Sequence, residues 1–146
     1  MNYLRALLSL SKPNIVLSVG ITGLTGMVLA SRSLPEAKII FFTMVSLIFS
    51  AAGSAMINNL IEREEDELME RLVKRVEALK LIGIKSLSFF AALLITSSLG
   101  ISLLFINYLN FFLLVLAIFS YTIYYTLFLK RSSPFGTVLG LSLIHI

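Results

Sequence analysis

The chain has no cysteine, which excludes disulfides and thiolate metal or redox centres. Charged residues are also scarce, 14% of the whole against 58% hydrophobic ones. Soluble domains are nearer half apolar, so a mean hydropathy of +0.95 marks a membrane protein. The net charge of +4 does not point to nucleic acid, because the basic residues flank apolar runs and gather on no single face. Repeats and low-complexity segments are missing too. No small-residue cleavage site follows the opening "MNYLRALLSLSKPNIVLSVG", so it is read as an interfacial helix leading into a membrane span and not as a signal peptide.

What is present is length in apolar runs. Four of them, 14–30, 39–61, 87–106 and 111–129, approach the roughly 17 to 25 residues that cross a bilayer as helix. The expected fold is all-α: a polytopic transmembrane helical bundle, with about four complete spans of a larger one. Pro13 suits the first turn of the first span, where its missing N–H breaks no bond. Gly20, Gly23 and Gly26 would let a neighbouring helix approach closely.

Ten of the 12 basic residues precede the first span, lie between the second and third, or follow the fourth. Arg32 and Lys38 alone are on the other side. By the positive-inside rule the N-terminus and the 62–85 loop are cytoplasmic, in a multi-pass protein of the cell (plasma) membrane. Residues 141–146, "LSLIHI", coincide with one reading frame of a common sequencing-library adapter. They are expected to be a non-native tail after a 1–140 N-terminal half of a domain, which leaves the only histidine, His145, without a role.

Acids are the rarest charge, and they are concentrated. Of eight, seven lie in the loop after the second span: Glu62, Glu64, Glu65, Asp66, Glu67, Glu70 and Glu77. A solvated, helix-prone connector is the plain reading. Against it, Asn58 and Asn59 end an apolar helix, where unpaired amides are costly. If the helix continues, Asn58, Glu62 and Asp66 fall at i, i+4 and i+8 on one face, where like charges repel unless compensated. A Mg²⁺ ion, held by few hard oxygens and shared with phosphate, would compensate them. Arg71, Lys74 and Arg75 follow within reach, so the loop has the makings of a diphosphate site: acids through the metal, bases directly.

These residues resemble a known family. "NNLIEREEDELMERLVKR" is similar to the first aspartate-rich motif of the UbiA-type intramembrane prenyltransferases, Asn-x-x-x-Asp-x-x-x-Asp with spaced bases after it, Glu62 standing for the usual aspartate. "YTIYYTLFLKRSSPFGTVLG" and "LSKPNI" resemble the corner after the fourth helix and the start of the first in the heme-farnesylating branch. The resemblance implies transfer of a farnesyl group from farnesyl diphosphate to a vinyl group of heme b, with Mg²⁺ at Asn58, Glu62 and Asp66. It implies diphosphate contacts from Lys12, Arg71, Lys74, Arg75 and Lys130, and catalytic roles for Tyr125 and Lys130. The implied surroundings are the lipid bilayer and heme-handling or terminal-oxidase assembly proteins. The family's second acidic motif does not occur in this sequence. An interfacial aromatic belt accounts for Tyr121, Tyr124 and Tyr125 as well as catalysis does, and Lys130 and Arg131 also serve as topology anchors. Two rivals stand beside this reading: a sister enzyme prenylating a quinone precursor or other lipid, and a small non-enzymatic membrane protein.

The topology is open to direct measurement, since the chain has no native thiol. Single cysteines at Ser33 and Glu67 should label from opposite faces of a sealed membrane. Labelling of both from one face would overturn the assignment.

Overall fold

The structure, a computed structural model, describes residues 2–31 and 34–129, with side chains through Thr126. Arg32, Ser33, Lys130, Arg131 and the 141–146 tail lie outside the described residues. In chain order the elements are α1 (Tyr3–Leu10), α2 (Pro13–Ser31), α3 (Ala37–Ile61), α4 (Arg63–Glu67), a 3-10 turn (Glu70–Leu72), α5 (Val73–Ile82), α6 (Ile84–Phe105) and α7 (Tyr108–Phe119). A π-helical segment, Ser120–Leu129, continues α7. Among the described residues there is no strand.

Four helical stretches are long and apolar enough to cross a membrane: Pro13–Ser31, Ala37–Ile61, Ile84–Phe105 and Tyr108–Thr126. Large apolar side chains such as Leu17, Leu29, Phe41, Phe89 and Leu104 stand exposed along them. Apolar exposure on this scale suits lipid and not water. The chain is a multi-pass membrane protein. The third and fourth spans begin earlier than the apolar runs do. Gly83, at φ 79, turns the chain from α5 directly into α6, and Asn107 caps α7 by accepting from the Asn110 N–H at 2.7 Å. Caps and turns set those boundaries, not hydropathy.

Helix α3 is the hub, packed against α2, α6 and the last span. Its seam toward α6 is built from small and hydroxylic residues, as membrane helix pairs require in the absence of a hydrophobic drive between them. Ser98 donates to the Ser46 carbonyl at 2.7 Å, with both residues fully buried. A Cβ on Gly53 would meet Ile95 Cγ1 at 2.8 Å and the Ala91 carbonyl at 3.1 Å. The glycine row of α2 is split. Gly20 and Gly23 do face α3, against Met44 and Leu47, whereas nothing lies within 4 Å of a Cβ built on Gly26.

The surface elements form a second layer at one end of the bundle. Ala6 and Leu10 of α1 pack with Ala78 and Ile82 of α5, Met56 of α3, and Leu87 and Ala91 of α6. Helix α1 is therefore an amphipathic strap held down by α5, in keeping with its reading as an interfacial helix.

Gly53→Leu should prevent the close approach of α3 and α6, costing at least the roughly 1–3 kcal/mol typical of overpacking. Gly26→Ala should leave stability within about 0.5 kcal/mol. Thermal unfolding in detergent reads both, and equal effects would refute the α3–α6 seam.

Candidate active site

The site grows out of the end of α3. Helix α3 stops at Ile61, but the i, i+4 ladder runs on: the Glu62 N–H donates to the Asn58 carbonyl at 3.0 Å and the Asp66 N–H to the Glu62 carbonyl at 2.8 Å. Asn58, Glu62 and Asp66 therefore do share one face, as the spacing predicts. All three are buried, at 1%, 4% and 4% exposure. Two carboxylates at this depth cost far more to desolvate than any surface pair returns, so their partners decide the structure.

Partners for the carboxylates and for the amide come from other elements. Arg75, on α5, donates to Asp66 Oδ2 at 2.7 Å and lies 3.8 Å from Glu62 Oε2. Lys12, at the corner between α1 and α2, donates from Nζ to Asn58 Oδ1. Its backbone sits at φ 53, a left-handed conformation that non-glycine residues rarely adopt. This places the ammonium over the end of α3. The Asn58 Nδ2 group donates in turn to Thr126 Oγ1 at 3.1 Å, and Thr126 donates to the Tyr121 carbonyl at 2.9 Å. Lys12, Asn58 and Thr126 belong to the ends of three spans, so those ends lie on one side of the membrane. The π-helical turns widen the last span where Thr126 meets Asn58, a type of distortion that recurs at functional sites.

The acidic run thus divides. Glu62 and Asp66 turn inward, while Glu64, Glu67, Glu70 and Glu77 are exposed. The pairs Arg63–Glu64 at 3.4 Å and Lys80–Glu67 at 3.9 Å are at the surface and contribute at most about 1 kcal/mol each. Both readings of the loop apply, to different residues.

Of the expected diphosphate ligands, Lys12 and Arg75 are drawn into the site. Arg71 and Lys74 stand exposed on the 3-10 turn and the start of α5, and Arg71 is 3.8 Å from the Met69 sulfur. Lys130 lies outside the described residues. The Tyr125 ring stacks on that of Tyr121 at 5.9 Å. The Tyr121 carbonyl accepts from Thr126, which joins this ring pair to the site. Three further residues belong to the site: Tyr121, Thr126 and Asn59. Asn59 donates to the Leu10 carbonyl at 2.6 Å, answering an orphan group at the end of α1. Its Oδ1 is buried without a protein partner, and the residue borders a cavity of about 10 Å³ shared with Arg63, Asp66 and Arg75. Asn59 and Tyr121 are marked in the sequence by their places at span ends, whereas the burial of Thr126 is not legible there.

Does this donor set fit a magnesium ion? Among the described residues no three Asp, Glu, His or Cys side chains gather closely enough to cage a metal alone. One amide oxygen and two carboxylates, all hard donors on one buried face, instead suit an ion that completes its shell from water and phosphate. The set fits Mg²⁺ on those terms.

The sequence that builds this arrangement has known relatives. Residues 19–144 match the UbiA prenyltransferase family. The chain belongs to that family. It is similar to the protoheme IX farnesyltransferase of Geotalea uraniireducens (strain Rf4), 41% identical over 78% of this chain and 44% of that protein. It is also similar to those of Aquifex aeolicus (strain VF5), 39% identical over 95% and 48%, and Ectopseudomonas mendocina (strain ymp), 35% over 93% and 46%. The chain spans about half the length of these relatives. No solved structure matches it.

Arg75→Ala would strand two buried carboxylates. It should destabilise the chain by an amount at the low end of the roughly 3–5 kcal/mol seen for broken buried pairs, because Arg75 is itself about a quarter exposed. Adding Asp66→Asn should recover part of that loss. Chemical unfolding of the single and double variants checks the sign, and an additive further loss would contradict the pairing.

Proposed function

We propose that this chain supplies the first diphosphate-binding half of an enzyme that transfers the farnesyl group of farnesyl diphosphate to a vinyl group of heme b. The observation that carries the reading is the buried row Asn58, Glu62 and Asp66 with Arg75 and Lys12 facing it. The similarity to protoheme IX farnesyltransferases supports the choice of donor and acceptor. The remaining 1–140 residues are read as part of one UbiA-type domain, and 141–146 as foreign to it. Concentration of the basic residues near the site supports a cytoplasmic loop and N-terminus, in the cell membrane. Heme-handling or oxidase assembly proteins are the natural partners of such a reaction.

In this mechanism Asn58, Glu62 and Asp66 would hold Mg²⁺, which supplies Lewis-acid stabilisation of the leaving diphosphate. Arg75 and Lys12, with the exposed Arg71 and Lys74, would neutralise the remaining phosphate charge, and Lys130 would join them as the resemblance implies. The bond from C1 of the farnesyl group to the diphosphate oxygen breaks, and its electron pair leaves with the diphosphate. The apolar spans keep water from the allylic cation until the heme vinyl carbon adds to it. Water captures the cation that results and releases a proton, leaving a hydroxyl beside the new carbon–carbon bond. Tyr125, stacked on Tyr121, and Lys130 would orient the departing group, as the family resemblance implies.

A chimera in which residues 1–129 replace the matching region of the Aquifex relative should convert heme b and farnesyl diphosphate to farnesylated heme, read by mass spectrometry. A prenylated quinone precursor in its place would favour a sister enzyme, and a folded chimera yielding neither would overturn the proposal. Within the chimera, Glu62→Gln or Asp66→Asn should lower turnover at least a hundredfold. Glu67→Gln, exposed and about 100° around the helix from Asp66, should change it less than threefold.

A further inference from the structure

The row Asn58, Glu62 and Asp66 already has cations on it. Arg75 spans Asp66 and Glu62, and Lys12 holds the Asn58 amide oxygen. Two buried carboxylates therefore face two cations, and the four side chains are neutral together. A bare divalent cation entering this cluster would bring two uncompensated positive charges next to an ammonium and a guanidinium. A cation that arrives with a diphosphate brings its own excess of negative charge, and that anion offers Arg75 and Lys12 a better acceptor than the oxygens they leave.

We propose that Lys12 and Arg75 are resident counter-ions that bar the bare divalent cation from Asn58, Glu62 and Asp66 and release those oxygens when a diphosphate takes the two cations over. The idea rests on the magnesium–diphosphate reading of the site and adds an order to it: metal and diphosphate enter together. Neither cation is locked in the interior of the bundle. Arg75 is partly exposed, with its side chain about a quarter open to solvent, while the carboxylates it serves are closed off. Lys12 stands on a corner between two helices, not within one, and its left-handed backbone is held there by the contacts around it. Its tie to α3 is flanked by the Asn59 bond to the Leu10 carbonyl two residues earlier, so the corner stays seated if the ammonium departs.

The test is equilibrium dialysis of Mn²⁺ against the full chain in nanodiscs, with and without methylenediphosphonate, corrected for empty discs. The unaltered chain should hold Mn²⁺ weakly alone and at least tenfold more tightly with the diphosphonate. Arg75→Gln should invert this pattern, binding Mn²⁺ alone at least tenfold more tightly than the unaltered chain and gaining little from the diphosphonate. Lys12→Gln removes a cation from a neutral amide and strands no carboxylate. It therefore stays informative if Arg75→Gln does not fold, and it should shift in the same direction by a smaller factor. Unchanged or weaker binding of Mn²⁺ alone in a folded variant would overturn the counter-ion proposal. The underlying site is tested separately by Asp66→Asn, which should abolish binding under both conditions. If Asp66→Asn binds like the unaltered chain, the metal reading itself is wrong.

Discussion

Two carboxylates lie buried at the end of an apolar membrane helix, and the rest of the molecule is arranged around that cost. Burying Glu62 and Asp66 there is costly unless a cation pairs with them, and Arg75 comes back from α5 to do so. Bringing Arg75 back requires α5 to be fixed, and what fixes it is the small core it shares with α1 and the ends of α3 and α6. The interfacial helix, which has no polar role of its own, is in this sense a structural part of the site. Its own unmet carbonyl is answered by Asn59, the neighbour of the amide that faces the charge cluster.

The membrane-spanning part answers a different constraint. Within lipid, close packing and hydrogen bonds between helices replace the hydrophobic drive. Gly53, Ser46 and Ser98 let α3 and α6 approach closely and bond, so α3 becomes a rigid mast whose last turn carries the site. The fourth span reaches the same point by another route. Its π-helical turns bring Thr126 to Asn58, which ties the mast to a second support. Rigidity below and charge pairing above together hold Asn58, Glu62 and Asp66 on one buried face, the arrangement on which the proposed function rests.

Neutrality in the resting cluster also bears on how such a site avoids misuse. An open row of carboxylates near a membrane surface would collect any divalent ion. One already paired internally responds only to a ligand that brings both charges, which is how a polar network acquires selectivity without extra residues.

Much of this was legible in the chain. Apolar length dictates the four spans, because a bilayer admits little else. The i, i+4, i+8 placement of Asn58, Glu62 and Asp66 follows from helical geometry, and the basic residues around them mark which spans end together. Local pattern could not say which of the bases turn inward. Lys12, Arg71, Lys74 and Arg75 are equivalent as letters, yet only Lys12 and Arg75 reach the cluster, because α5 docks on α1 in one orientation and Lys12 occupies a left-handed corner. The widening of the last span, the outward-facing Gly26 and the parts taken by Thr126 and Asn59 belong to the same class. Each depends on what another element presents across a distance in sequence, and pairing between elements is decided by packing, not by composition.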